Sequence, residues 1–241
     1  MSSTFEHLRV FLIGQGHLFP LTLTLGAYTG AVWIQRLGAR SALLNPTLLA
    51  IACVVAVLWV LNMDYGWYFS DAQPVHLLLG PAVVALAIPL YRHAPLIRER
   101  ALDLLTGLTV GSITGIATGL ALAWWLGVSH QGLLSVAPKS ATTAVSMAVS
   151  ARIGGIPPVT AVLTILAGIT GAVASSYLLN ALRIRDPAAR GFSMGLASHG
   201  IATARAFQES DIAGTFAGLA MGMNAITTAI LVPIMLRLVF R

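Results

Sequence analysis

Two short polar stretches interrupt apolar sequence in the second half of the chain and hold most of its candidate chemistry. The first is Pro138-Lys139-Ser140-Ala141-Thr142-Thr143, and the second is Ala197-Ser198-His199-Gly200-Ile201-Ala202-Thr203-Ala204-Arg205-Ala206. Lys139 is the one lysine in the chain. A cation inside apolar helix is costly unless it finds a partner or faces a wet cavity. Ser140, Thr142, Thr143, Ser198, His199 and Thr203 add hydroxyls and an imidazole, and Gly200 adds bare backbone. An interrupted helix exposes N–H groups without intrahelical partners, and these, with the helix dipole, attract anions. Gly80-Pro81 is a third natural interruption, because glycine permits unusual backbone angles and proline cannot continue an upstream ladder. Asn45 and Asn224, in otherwise apolar helix, carry donors and acceptors that suit a hydroxyl or keto oxygen. Together these residues point to a binding site for a small anionic solute.

Several of them have a second reading. Lys139 pairs with a substrate carboxylate, serves as a fixed cation at a helix crossing, or snorkels to water. His199 carries a proton near neutral pH or simply joins two helices. Asn45, directly before Pro46, suits a helix cap. Arg205 follows His199 by six residues and so projects from another face; it is expected to form a structural ion pair with Glu209, one turn on. There is no G-x-S-x-G, H-E-x-x-H, P-loop or cysteine–histidine metal spacing, so neither an enzyme nor a bound metal is expected.

The elements that position these groups follow from composition. Charged residues are 9% and hydrophobic residues 57%, against roughly 25% charged in soluble domains, and the mean hydropathy is +0.84. The expected class is an all-α, multi-pass membrane protein, with room for about eight helical segments of about 20 residues. The net charge of +6 is spread over short loops, which suits positive-inside anchoring in a lipid bilayer and argues against nucleic acid. Cys53 is alone and forms no internal disulfide. Residues 1–17 read as an interfacial segment without a signal-peptide pattern.

The apolar segments suggest two repeats, residues 18–127 and residues 133–240. Pro46 and Pro158 each open a second helix, while Gly80-Pro81 and His199-Gly200 each interrupt a third. Glycines recur every four residues at Gly107, Gly111, Gly115 and Gly119, and at Gly214, Gly218 and Gly222, a spacing that lets helices approach closely; these stripes suit a sliding or dimer face. Basic loops at 36–40, 92–100 and 183–190, with the C-terminus, are expected inside, and loops 62–72, 127–131 and 209–211 outside. This arrangement predicts inverted repeats with two broken, crossing helices around a midplane site. Parity then makes segment 133–152 either re-entrant or a span that violates the charge rule.

Leu44-Asn45-Pro46, Leu79-Gly80-Pro81-Ala82, Pro138-Lys139-Ser140-x-Thr142-Thr143, Ile153-Gly154-Gly155-Ile156-Pro157, the stretch 197–206 and Leu219-Ala220-Met221-Gly222-x-Asn224 closely resemble the LrgB/CidB family. The chain is also similar to the membrane half of the plant plastidal glycolate/glycerate translocator. One departure is Ala144, where many members place proline. The resemblance implies transport, across the cytoplasmic membrane, of small 2-hydroxy or 2-keto monocarboxylates such as glycolate, glycerate, lactate or pyruvate; the interrupted, crossing helices suggest alternating access as the mechanism. Alternatively it implies an antiholin-like regulator of murein hydrolase export and cell lysis. It further implies a small holin-like LrgA/CidA-type partner and no cofactor. A homodimer is also expected.

Overall fold

The computed structural model describes residues 10–12, 14, 18–38 and 44–239; the interfacial segment expected over residues 1–17 lies almost wholly outside these. All regular structure among the described residues is helical. The chain divides into two compact units, Met1–Ala87 and Ile88–Arg241. Among the described residues, four helical stretches are long and apolar enough to cross a membrane: Gln73–Arg92, Ala101–Trp125, Pro157–Ala181 and Asp211–Leu238. The chain is thus an all-α, multi-spanning membrane protein with four long apolar stretches where about eight segments were expected.

The first unit contains α1 (Leu18–Leu37), α2 (Pro46–Val60), α3 (Tyr65–Asp71), α4 (Gln73–Leu77) and α5 (Leu79–Ala85). Asn45 caps α2, its Oδ1 accepting from Thr47 N at 2.9 Å and Leu48 N at 3.2 Å, with Pro46 in the first turn. Leu58, Met63 and Tyr68 form a small core, and the Tyr68 hydroxyl meets Thr24 Oγ1 at 2.7 Å. Gly80 and Pro81 are exposed inside the first turn of α5. The expected interruption falls one residue earlier than Leu79, at Leu78, because a proline in a first turn forfeits no hydrogen bond.

The second unit follows α6 (Ala87–Arg92) and α7 (Ala94–Glu99) with α8 (Ala101–Trp125), α9 (His130–Val136), α10 (Thr143–Ile153), α11 (Pro157–Ala181), α12 (Pro187–Glu209) and α13 (Asp211–Val239). Its decisive feature is that two segments turn back on themselves. Arg190 and Glu209 lie 19 positions apart on α12, a separation of about 28 Å in a straight helix. Their side chains nevertheless form an ion pair, Nε to Oε2, at 2.9 Å. The reversal occurs at Ser198 (φ −142°, ψ 22°) and His199 (φ 42°, ψ −137°), so α12 is a hairpin with arms 187–197 and 200–209. The pair α9/α10 is a second hairpin. Ile156, just past α10, donates its N–H to Ser135 Oγ on α9 at 2.8 Å, and His130 and Arg152, at the outer ends of the two arms, line one cleft.

These tethers fix the direction of every span in the unit. At one end His93 Nε2 meets Asp211 Oδ2 at 2.9 Å and Arg100 meets Asp186 at 2.9 Å. Arg190 also donates to Asn180 Oδ1 at 2.9 Å. The Ala189 N–H, donated to the Asp186 carboxylate that caps α12, holds that group below the usual carboxylate range; partial burial opposes this, and Arg100 reinforces it. His130, Arg152 and Arg237 gather at the other end. Helices α8, α11 and α13 are each long and apolar enough to cross, and the mouths of the two hairpins lie at opposite ends of the unit.

Two expectations are corrected here. Loop 209–211 lies with the basic segments 92–100 and 183–190, and Arg237 lies at the opposite end, because a hairpin does not change sides where a span would. The glycines of α8 pack against hairpins of the same chain, so this stripe is not free to serve as the expected dimer face. A Cβ at Gly107 would touch Phe192 at 3.5 Å and one at Gly111 would overlap Leu196; one at Gly115 would meet Ser140 Oγ at 3.7 Å, and one at Gly119 Lys139 Nζ at 2.8 Å. Both hairpins rest on this face, which is why α8 belongs to the second unit and the division falls at residue 87.

In a Cys53→Ser background, cysteines at Gln131 and Arg152 should react with an impermeant maleimide from one side of the membrane, and cysteines at Arg185 and Gln208 from the other. Labelling of Gln208→Cys and Gln131→Cys from the same side would refute the hairpin at 198–199. Gly195→Ala should lower stability by about 1–3 kcal/mol in thermal unfolding, since its Cβ would overlap the Ala217 carbonyl. Gly222→Ala meets open space and should be neutral or gain up to about 1 kcal/mol from helix propensity.

Candidate functional site

Each hairpin tip is a designed interruption of hydrogen bonding. In the first, Pro138 supplies no N–H, and α9 ends at Val136. Ser146 Oγ, fully buried, lies 2.6 Å from Pro138 O and 3.2 Å from Ala141 O, covering carbonyls the broken helix leaves bare. Helix α10 restarts with Thr142 at its N-cap, extended at φ −62° and ψ 149°, without a side-chain cap. Its first intrahelical bond is Ser146 N to Thr142 O at 2.8 Å. The N–H groups of Thr143, Ala144 and Val145 find no acceptor among the described residues.

The second tip carries backbone strain. His199 sits at φ 42°, a region costing on the order of 1–3 kcal/mol for a non-glycine residue. Three hydrogen bonds hold it there. His199 Nε2 donates to Thr164 O at 2.9 Å, Ser198 Oγ to Ala167 O at 3.3 Å, and Thr203 Oγ1 to His199 O at 2.8 Å. Gly168 and Gly171 of α11 leave the space: a Cβ at Gly168 would stand 2.6 Å from His199 Cε1, and one at Gly171 would overlap Ser198. Ser198, His199 and Thr203 are all buried, so these side chains shape the tip and bind α11.

Asn224 joins the two tips. Its Nδ2 donates to Ser140 O at 3.0 Å and to Leu196 O at 2.9 Å, while its Oδ1 accepts from Ser112 Oγ at 2.8 Å and Thr228 Oγ1 at 3.2 Å. A carboxamide has two donor hydrogens and two acceptor positions, so this residue, 1% exposed, is saturated by the chain. Its expected contact with a substrate oxygen gives way to a tie between the hairpins. Ser112 and Thr228 belong to that tie and escaped sequence reading, since each is an ordinary hydroxyl in apolar helix.

Lys139 reaches back over the α8 glycines, its Nζ donating to Gly115 O at 3.3 Å. No carboxylate pairs with it among the described residues. Thr142 and Thr143, both half-buried, stand at the uncapped N-terminus of α10, three and four residues from the lysine. The structure thus brings Lys139, Ser140, Thr142, Thr143 and Asn224 together. Ser198, His199, Gly200 and Thr203 form the second tip, linked to the first through Leu196 and Asn224. Asn45, Gly80 and Pro81 belong to the other compact unit. The expected Arg205–Glu209 pair is not formed: Glu209 is held by Arg190 and by Ser176 Oγ at 2.6 Å, and Arg205 turns to Gln208 Oε1 at 3.0 Å. Hairpin closure delivers a partner from 19 residues away, which outcompetes the local one.

Replacing Asn224 with Leu should strand the Ser140 and Leu196 carbonyls and cost about 2–4 kcal/mol, at about 1–3 kcal/mol per buried unpaired group. Thermal unfolding of the purified variant measures this. Retention of wild-type stability would remove Asn224 from its tying role.

Comparison with known proteins places this geometry in context. The sequence profile of the LrgB-like family matches residues 24–238. The uncharacterized protein YxaC of Bacillus subtilis is 34% identical over 206 residues, 86% of this chain and 89% of that protein. YwbG of the same organism is 34% identical over 219 residues, 91% and 97% of the two chains. The holin-like protein CidB of Staphylococcus aureus is 29% identical over 227 residues, 92% and 97% of the two chains. No solved structure gives a significant match.

Proposed function

From the premise that this chain belongs to the LrgB-like family, we propose that it carries a small monocarboxylate across the membrane by alternating access. The observation that carries this reading is Lys139: a lone ammonium at a hairpin tip, without a carboxylate partner, beside an uncapped helix N-terminus. An anion there would receive one full charge and the α10 amide hydrogens, both of which favour a single small carboxylate. The Thr142 and Thr143 hydroxyls then meet a neighbouring hydroxyl or keto oxygen, which makes 2-hydroxy and 2-keto acids of the glycolate, glycerate, lactate and pyruvate type the preferred class. Gly200, exposed at the second tip, opens that side of the site to the same guest. Hairpins entering from opposite ends supply two gates, either of which can open while the other stays shut. Ser198, His199, Thr203 and Asn224 act as positioning residues. A small LrgA/CidA-type protein and a second copy of the chain complete the working assembly.

A second reading, an antiholin-like regulator of murein hydrolase export and lysis, draws support from the holin-like label carried by the Staphylococcus relative. It requires no solute specificity. Proteoliposomes carrying the chain, alone and with its partner, should take up labelled glycolate or pyruvate saturably. Lys139→Ala should reduce uptake by at least tenfold, the equivalent of about 1.4 kcal/mol, and Lys139→Arg should retain a substantial share. Wild-type uptake by Lys139→Ala, or no saturable uptake of any such acid, would leave the regulatory reading in its place.

A further inference from the structure

The end of the second unit away from the basic loops carries a cleft that the transport reading leaves unused. It has a volume of about 500 Å³ and is lined by His130, Arg152, Leu134, Ile153, Leu236 and Arg237, among others, a size typical of ligand-holding clefts, roughly 300–1,000 Å³. Arg152 ends the first hairpin and Arg237 lies in the last turn of α13. Neither has an acidic partner among the described residues, and the sequence offers none nearby: no Asp or Glu occurs between Asp103 and Asp186 or after Asp211. Each arginine suits the C-terminal dipole of its own helix. That accounts for a cation on each helix, but not for the convergence of two guanidinium groups on one cleft. The floor of Leu134, Ile153 and Leu236 is apolar, and Ile234 and Leu238 beside Arg237 are 49% and 73% exposed.

We propose that this cleft binds the phosphodiester headgroup of an anionic phospholipid. The two guanidinium forks chelate the phosphate oxygens, a geometry that planar arginine meets and a point charge does not. The acyl chains run down the exposed apolar face of α13. The lipid then bridges the outer end of the first hairpin and the end of α13, the two parts that must separate for that hairpin to open. Basic clefts between membrane helices commonly recognise anionic headgroups in this way.

The test uses the purified full chain in neutral detergent, with dioleoylphosphatidylglycerol or dioleoylphosphatidylcholine added as mixed micelles, read by thermal unfolding and by native mass spectrometry. The anionic lipid should raise the melting temperature and remain bound through activation, and phosphatidylcholine should do neither. Arg152→Gln/Arg237→Gln should weaken the anionic-lipid response about tenfold or more. Arg183→Gln/Arg185→Gln, at the opposite end, should leave it intact. If the double variant fails to fold, the single Arg237→Gln is read, with the same direction expected. Equal responses to the two lipids, or an unchanged response in the Arg152/Arg237 variants, would overturn the proposal. Inorganic phosphate reproducing the full stabilisation would overturn it in favour of a soluble anion.

Discussion

The Asn224 carboxamide is the contact on which the second unit depends. Inside a bilayer no water is available to satisfy a backbone group that leaves its helix. Two chain reversals at the same depth therefore leave carbonyls that need donors. One side chain on a neighbouring span answers both, giving one hydrogen to Ser140 and the other to Leu196. Ser112 and Thr228 orient the amide by occupying its oxygen. A hydrophobic residue at that position would pack as well but would leave both tips unpaired and independent.

The two tips are built by different chemistry. At the first, proline withdraws a donor and a buried serine, Ser146, covers carbonyls, so the turn needs no unusual backbone angle. At the second, no proline intervenes, and the reversal is achieved by a positive φ at His199, held by its own ring, by Ser198 and by Thr203. Small residues give both tips room. Gly115 and Gly119 of α8 admit the lysine tip, and Gly168 and Gly171 of α11 admit the histidine tip. Stripes of glycine in membrane helices serve close approach; here what approaches is a folded-back loop instead of a second straight helix. The Arg190–Glu209 pair, with side chains 13% and 18% exposed, then clasps the arms of the second hairpin at its mouth.

Electrostatics separates the ends of this unit. The segments 92–100 and 183–190 hold most of its arginines, with Glu209 and Asp211 beside them, while no acidic residue lines the cleft at the other end among the described residues. Between them Lys139 is a third, isolated positive centre.

Membrane residence, helical class and the position of both interruptions were legible in the amino-acid order. Each depends on local properties: length of apolar run, missing proline donor, polar residues at mid-span, Asn45 directly ahead of Pro46. The lone lysine was equally plain. What the order could not decide was whether an interrupted helix continues or returns. That depends on two backbone angles at Ser198 and His199 and on partners such as Arg190 and Glu209, 19 positions apart, which only the folded chain brings to 2.9 Å. Local spacing favoured Arg205 for Glu209 and read Asn224 as a ligand contact. Tertiary structure reassigned both, because hydrogen-bond saturation is a property of neighbours in space, and a sequence names only neighbours along the chain.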